Sequence, residues 1–235
     1  MPRIRSLQLL EGARRAAGVT VVIDVFRAFS VAPLAIAAGA VRIHPVATPR
    51  DALLARKRHP DWLLIGERDG QPLPGFDFGN SPADIMAADL TGRVLVQRTS
   101  AGIQGLLAAG ENSDVTDVIT GSFVNARAVV DYVRSADSPV VSLVAMGWNA
   151  AEPTLDDELC AGYLAAGIRD GVLPGIDPIR DRLRSDPCGA KFFDDSRPWF
   201  KPADFDICLT PSTVDSVLGL GPAGTDGPVL SPVAA

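Results

Sequence analysis

Several features are scarce or missing in this chain of 235 residues, and each absence closes off a class of protein. No apolar run reaches the roughly eighteen residues of a membrane span, and Met1-Pro2-Arg3-Ile4-Arg5 leads into no signal-peptide core, so the expectation is a cytoplasmic protein with no membrane partner. The three cysteines, Cys160, Cys188 and Cys208, lack metal-ligand spacing and sit in or near apolar surroundings, which predicts buried thiols rather than disulfides or zinc. There are only two histidines: His44 falls within a strand pattern and His59 at a helix end, neither with an acid at triad-like spacing. Lysine and arginine number 22 against 28 acids, a net charge of −6 with no basic block, which argues against a nucleic-acid partner. No G-x-G-x-x-G comes after the first strand and no G-x-x-x-x-G-K-[ST] occurs, removing the two commonest nucleotide-binding signatures. G-x-S-x-G is missing as well, so no hydrolase nucleophile elbow is expected. Asp24 is succeeded by Val25 and Phe26 without a second aspartate two positions on, unlike the Asp-x-Asp phosphatases.

What remains is a chain with 47% hydrophobic residues, long enough to bury a large core and read as one α/β domain over residues 1–235. Thr20 to Val25 is a β-branched run of the kind buried on both faces of a sheet. Val31 to Ala38 comes next as a helix ending at Gly39, and with Ser30 as its N-cap Pro33 would fall harmlessly in the first turn. The unit then repeats. Strands are expected at Val41 to Val46, Trp62 to Ile65, Arg93 to Gln97, Asp117 to Thr120 and Val140 to Ala145, and the interleaved helices include Pro49 to Arg58, Ser100 to Ala109, Val124 to Arg134 and Thr154 to Ile168. A further edge strand is expected around Ser6 to Leu10. Such alternation describes a three-layer α/β/α fold with a mostly parallel central sheet. After Gly171 the pattern loosens, with a short helix at Pro178 to Leu183, a last strand at Asp206 to Leu209 and a Gly/Pro/Ala-rich tail expected to be disordered from about residue 219.

In open parallel sheets ligands bind beyond the carboxyl ends of the strands, where turns and helix N-termini gather. The residues just past the strand ends are Asp24, Arg27 and Ser30; Glu67, Arg68 and Asp69; Arg98, Thr99 and Ser100; Gly121, Ser122 and Asn125; and Gly147, Trp148 and Asn149. The loop through Asn80 and Ser81 is placed to fold over that edge. A carboxylate at the end of a buried strand needs a cation or several donors, so Asp24 and Glu67 point either to a metal and anion site or to structural ion pairs with Arg27 and Arg68. Ser30, Ser100 and Ser122 also read as ordinary helix caps, and Asp156-Asp157-Glu158 as acids favoured by a helix dipole.

In order and spacing, five segments resemble the 2-phosphosulfolactate phosphatases: Ile23-Asp24-Val25-Phe26-Arg27-Ala28, Gly66-Glu67-Arg68-Asp69-Gly70, Pro74-Gly75-Phe76-Asp77-Phe78-Gly79-Asn80-Ser81-Pro82, Gly121-Ser122-Phe123-Val124-Asn125-Ala126 and Leu155-Asp156-Asp157-Glu158-Leu159-Cys160-Ala161-Gly162. The resemblance runs from about residue 20 to 210 and includes Asp206-Ile207-Cys208-Leu209. It implies a Mg2+-dependent phosphatase acting on 2-phospho-3-sulfolactate in the route to coenzyme M, with an α/β/α fold and a homodimeric assembly. On that reading Asp24, Glu67 and Asp157 are candidate magnesium ligands, and either Asp24 or Asp157 orients the attacking water. Arg27 and Arg68 hold phosphate oxygens, Arg27 taking part in catalysis, and Ser30, Asn80, Ser81, Thr99, Ser100, Ser122 and Asn125 contribute to substrate binding. Where this family usually carries hydroxyl-rich turns, this chain has Phe29-Ser30-Val31, Arg98-Thr99-Ser100-Ala101-Gly102-Ile103 and Gly147-Trp148-Asn149-Ala150. A pocket that trades small donors for Phe29, Arg98 and Trp148 is expected to hold its anion differently. The alternative reading is a diverged, non-catalytic homologue that binds a small anionic metabolite.

Overall fold

The computed structural model describes residues 1–233. The chain begins with β1 (Arg3–Gln8), α1 (Leu9–Arg14), β2 (Gly18–Ile23), α2 (Ala28–Ala37), β3 (Arg42–Pro45), α3 (Pro49–Arg58), β4 (Leu63–Arg68) and β5 (Gln71–Pro72). It continues through α4 (Pro82–Ala87), β6 (Val94–Arg98), α5 (Gly102–Gly110), β7 (Val115–Gly121), α6 (Ala126–Ser135), β8 (Val140–Ala145) and α7 (Leu155–Asp170). The last part holds α8 (Asp177–Ser185), α9 (Pro187–Ala190), a 3-10 turn at Lys191–Phe193, α10 (Pro202–Cys208), β9 (Val217–Gly224) and β10 (Gly227–Val233). None of these helices is long and apolar enough to cross a membrane.

Among the described residues the strands form one sheet in the order β1-β8-β2-β7-β9-β10-β3-β6-β4-β5. The expected α/β architecture is present, with helices on both faces. Two parallel blocks, β1-β8-β2-β7 and β3-β6-β4, are joined by the antiparallel hairpin β9-β10. β2 lies between β7 and β8, with Val21 opposite Ile119 and Leu143, and all six of its residues are buried. Period-2 alternation divides them: Val22 packs with Phe29, Val31 and Leu106 on one face, and Val19, Val21 and Ile23 pack with Val129, Val130 and Leu164 on the other. That double burial is why the run reads as continuously apolar.

Three expectations fail here for tertiary reasons. The tail from residue 219 is not disordered over the described residues. It pairs Leu220 with Leu230 in the hairpin that closes the gap between β7 and β3, burying Val217, Leu218 and Leu230. Asp226-Gly227, with Gly227 at φ +90, is a hairpin turn signal hidden in a composition that suggests disorder. His59 reaches this turn, its Nε2 lying 2.9 Å from Asp226 Oδ1, a partner 167 residues away that sequence spacing could not show. Asp206 to Leu209 is not a strand but lies at the end of α10, which starts after Lys201 with Pro202 in its first turn.

The third concerns Pro33, which lies inside α2 because the helix begins at Ala28 rather than after Ser30. A proline there removes the N–H that would serve the Phe29 carbonyl four residues earlier. The Ser122 hydroxyl donates to that carbonyl at 2.9 Å, from the turn after β7. Ser30, no cap, donates its hydroxyl to the Val25 carbonyl at 2.8 Å. Ser122→Ala is expected to destabilise the fold by about 1–3 kcal/mol, because it strands a fully buried carbonyl; urea denaturation would measure it, and a change below about 0.5 kcal/mol would contradict this role.

Candidate active site

A narrow cleft opens beyond the carboxyl ends of β2, β4, β6 and β8. Asp24, Arg27, Glu67, Asn80, Ser100 and Ala101 line it, with Phe26, Gly70, Gly147, Trp148, Asn149 and Phe200 completing the walls. A roomier groove of about 490 Å3 lies at the opposite end of β7, but its acids, Glu111 and Asp117, are exposed and bring no buried polar group with them.

Three buried carboxylates bind the strand-end turns together through backbone N–H groups. Asp24 accepts from Ala28 N at 3.1 Å and Gly102 N at 2.8 Å, the first residues of α2 and α5, and so caps two helices at once. Glu67 accepts from Gly70 N at 2.7 Å and Ser100 N at 2.6 Å, joining the turns after β4 and β6. Asp157, in the first turn of α7, accepts from Val25 N at 2.7 Å and Gly147 N at 2.8 Å, joining those after β2 and β8. Its neighbour Asp156 accepts from Phe26 N at 3.2 Å and leaves Oδ1 buried without a partner. The Phe26–Arg27 peptide is cis.

Burial sets the electrostatics. It pushes the Asp24 carboxyl up to about 7, against the pull of its two N–H donors and with added repulsion from Asp156 and Glu67. The same loss of water raises Asp156, and raises Asp157 well above the usual carboxylate range with Asp156 and Asp24 adding to the effect. Beside Asp24, the Ala101 N–H at the start of α5 finds no acceptor among the described residues, which leaves a donor for an anion at a helix N-terminus. Asn80 is 4% exposed, and its Oδ1 has no partner.

The sequence matches the family described as 2-phosphosulpholactate phosphatase over residues 5–182. The chain belongs to this family. Among its relatives, a probable 2-phosphosulfolactate phosphatase of Bacillus subtilis is 33% identical over 207 residues, covering 86% of each chain. Proteins of the same name from Carboxydothermus hydrogenoformans and Deinococcus radiodurans are 38% and 35% identical over 144 and 147 residues. Those alignments cover 61% and 63% of this chain, and 58% and 60% of the relatives.

Within this family member the anticipated site residues separate into two groups. Asp24, Arg27, Glu67, Asn80 and Ser100 come together in the cleft. Asp157 stands behind the turns rather than in the cleft, both oxygens engaged by backbone. Ser81 donates to Asp204 Oδ1 at 2.7 Å and caps α4, and Thr99 Oγ1 accepts from Ile103 N at 3.1 Å. Asn125 is buried, its Oδ1 accepting from Ser122 N at 3.1 Å. Arg68 is exposed and outside the cleft lining. Of the three departures from the usual turns, Trp148 alone faces the cleft: Phe29 is fully buried in the core, and Arg98 donates to Glu67 O at 2.7 Å and Ser100 Oγ at 3.2 Å.

Arg27 lines the cleft, yet its terminal nitrogens already have partners. They donate to Asp204 Oδ2 at 2.9 Å, Gly70 O at 2.9 Å and Trp199 O at 2.7 Å, with the guanidinium 4.8 Å from the Phe200 ring centroid. Asp204, Phe200 and Lys191 are contributors that no motif in the sequence singles out. They come from the loosely patterned C-terminal part, where only an aromatic group at Phe192, Phe193, Trp199, Phe200 and Phe205 hints at a shared purpose.

Among the described residues no three His, Cys, Asp or Glu side chains are grouped so as to hold a metal ion, so the trio Asp24, Glu67 and Asp157 does not assemble. Mg2+ takes only one or two carboxylates and keeps several waters. The hard oxygens in the cleft, from Glu67, Asp24 and the unpartnered Asn80 Oδ1, suit it on that count.

Proposed function

We propose that this protein hydrolyses the phosphate monoester of a small 2-hydroxy acid, with 2-phospho-3-sulfolactate, the compound in the names of its relatives, as the first candidate. One observation carries the reading: Asp24, a buried acid brought to about 7, sits in a cleft beside the unpartnered Ala101 N–H. An acid near neutrality can take the proton of a water as its oxygen attacks phosphorus. The Ala101 N–H and the Asn80 amide are donors for phosphoryl oxygens, and the ester oxygen draws a proton from solvent as its bond to phosphorus breaks. Phosphoryl transfer asks for little beyond such positioning and charge neutralisation. Glu67 and Asn80 would hold a Mg2+ beside Asp24, and that ion would supply positive charge against the phosphoryl oxygens. The resemblance alone supports a homodimer and a place in the route to coenzyme M, and a cytoplasmic location stays the expectation drawn from the sequence.

The test is phosphate release from a panel of phosphorylated 2-hydroxy acids, with and without Mg2+. Release from none of them, with the fold intact, overturns the reading. Gly102→Ala probes the geometry, because its Cβ would meet Asp24 Oδ2 at 2.7 Å and Asp24 Cβ at 3.0 Å. Displacing the carboxylate by a few tenths of an ångström to about 1 Å is expected to reduce kcat/KM by up to about a hundredfold. Full activity in Gly102→Ala would mean that Asp24 has no positional role.

A further inference from the structure

We propose that Lys191 forms the subsite for the substrate's second acid group, the carboxylate or sulfonate beside the phosphate ester, and so sets the preference for phosphorylated acids over simple phosphate monoesters. This rests on the hydrolytic reading of the cleft.

Lys191 opens the 3-10 turn after α9 and is 9% exposed. Among the described residues its ammonium makes no hydrogen bond and no ion pair within 4.0 Å, and Nζ is not sealed from solvent although the stem of the side chain is buried. Instead Nζ lies 4.6 Å from the ring centroid of Trp148, 4.9 Å from that of Phe200 and 5.7 Å from that of Phe192. Trp148 and Phe200 are walls of the cleft, and Lys191, just outside its lining, stands against the same two rings. Aromatic faces hold a cation without neutralising it, which leaves its three N–H donors available. Burial weakens its hold on its proton, while the charges of Asp156 and Asp24 strengthen it. Asp156 is the one acid on this side that could have been its counter-ion. It makes no ion pair with Lys191, and its Oδ1 stays unpartnered. A small anion entering beside Trp148 would replace water at that ammonium, and Trp148 is the departure from the family's usual turn that faces the cleft. The charges therefore match a compact substrate with anionic groups at two ends, phosphate towards Ala101 and carboxylate or sulfonate towards Lys191, for which the cleft, about 30 Å3 as it stands, has to widen.

The experiment compares wild type, Lys191→Met and Lys191→Arg on 2-phospho-3-sulfolactate and on isopropyl phosphate, a secondary phosphate ester without the second acid. Losing a charge-assisted contact is expected to lower the ratio of the two kcat/KM values in Lys191→Met by about 10- to 100-fold, chiefly through KM, with partial recovery in Lys191→Arg. An unchanged ratio, whether both activities fall together or neither moves, overturns the proposal. Calorimetric binding of unphosphorylated 3-sulfolactate reads the subsite without turnover. If wild type binds it at least tenfold more tightly than Lys191→Met, the subsite stands even if no phosphate is ever released, in which case only the hydrolytic reading fails. Equal affinity for the two proteins sinks the subsite. Should the methionine variant not fold, Lys191→Gln takes its place under the same criterion: a fall in the ratio of about tenfold or more supports the subsite, and any smaller change overturns it.

Discussion

Asp24→Asn is expected to reduce phosphate release by about 10²- to 10⁴-fold, the usual effect of removing a positioned proton acceptor. The amide keeps the shape but only one acceptor oxygen, so one of the N–H groups of Ala28 and Gly102 loses its acceptor, and a loss in kcat beyond what the accompanying fall in stability explains separates chemistry from architecture. The same substitution carries a second signature. Burial raises the Asp24 carboxyl to about 7 from an unfolded value near 3.8, so the folded chain holds a proton that the unfolded chain has released between those two pH values. Stability must then fall as pH rises across that window. The contribution is complete below about pH 4 and gone above about pH 7, and a shift of roughly three units corresponds to about 4 kcal/mol. Asp157 is present in both proteins, but in Asp24→Asn it loses the repulsion from Asp24 that helps to raise it, which makes the wild-type decline steeper still by comparison. Urea denaturation of wild type and Asp24→Asn from about pH 4.5 to 8, in a chelator so that no metal alters the titration, should give wild type the steeper decline. Parallel curves would show that Asp24 titrates normally.

The other large effect concerns Arg27. Arg27→Met should destabilise the protein by about 3–5 kcal/mol, because it leaves Asp204, with no exposed surface, as an unpaired buried charge. Ser81 and Ala83 N still donate to Asp204 Oδ1 at 2.7 and 3.1 Å, but neither supplies positive charge. The same guanidinium ties the Gly70 turn to the segment carrying Trp199 and Phe200, so activity should fall along with stability. Replacing both partners, Arg27→Met with Asp204→Leu, should recover much of the stability and none of the activity, since no buried charge remains but the turns are no longer tied. If Arg27→Met lowered activity alone and left the urea midpoint unchanged, Arg27 would be a phosphate ligand and not a clamp between turns.

Much of the architecture is legible in the order of the residues. β2 announces itself as an unbroken β-branched run because both of its faces are buried, and α3 announces its start with Thr48, Pro49 and Asp51, which form a capping box. The carboxyl-edge rule brings Asp24, Glu67 and Ser100 to one place correctly, since it depends on local strand-to-helix order. It misjudges Ser122 and Asn125, which come after strand β7 at the same edge but face inward. Ser122 is drawn to the carbonyl that Pro33 leaves free, a demand set by a helix about ninety residues away in sequence. Phe29 likewise looks like a change in the pocket when read in its motif and proves to be core, because the first turn of α2 rotates it away from the cleft.

By itself, then, the sequence determined the alternation of strands and helices, the edge at which polar side chains gather, and the family. All three rest on local periodicity and on short motifs whose spacing survives without knowledge of contacts. Tertiary structure alone decided which acids face the cleft and which bind turns together. It also closed the sheet with a Gly- and Pro-containing hairpin, paired Arg27 with Asp204 and set Lys191 among Trp148, Phe192 and Phe200. The physical reason is the same in each case. A buried charge or an unsatisfied carbonyl is settled by whatever group the fold brings within about 3 Å, and that group can lie anywhere in the chain.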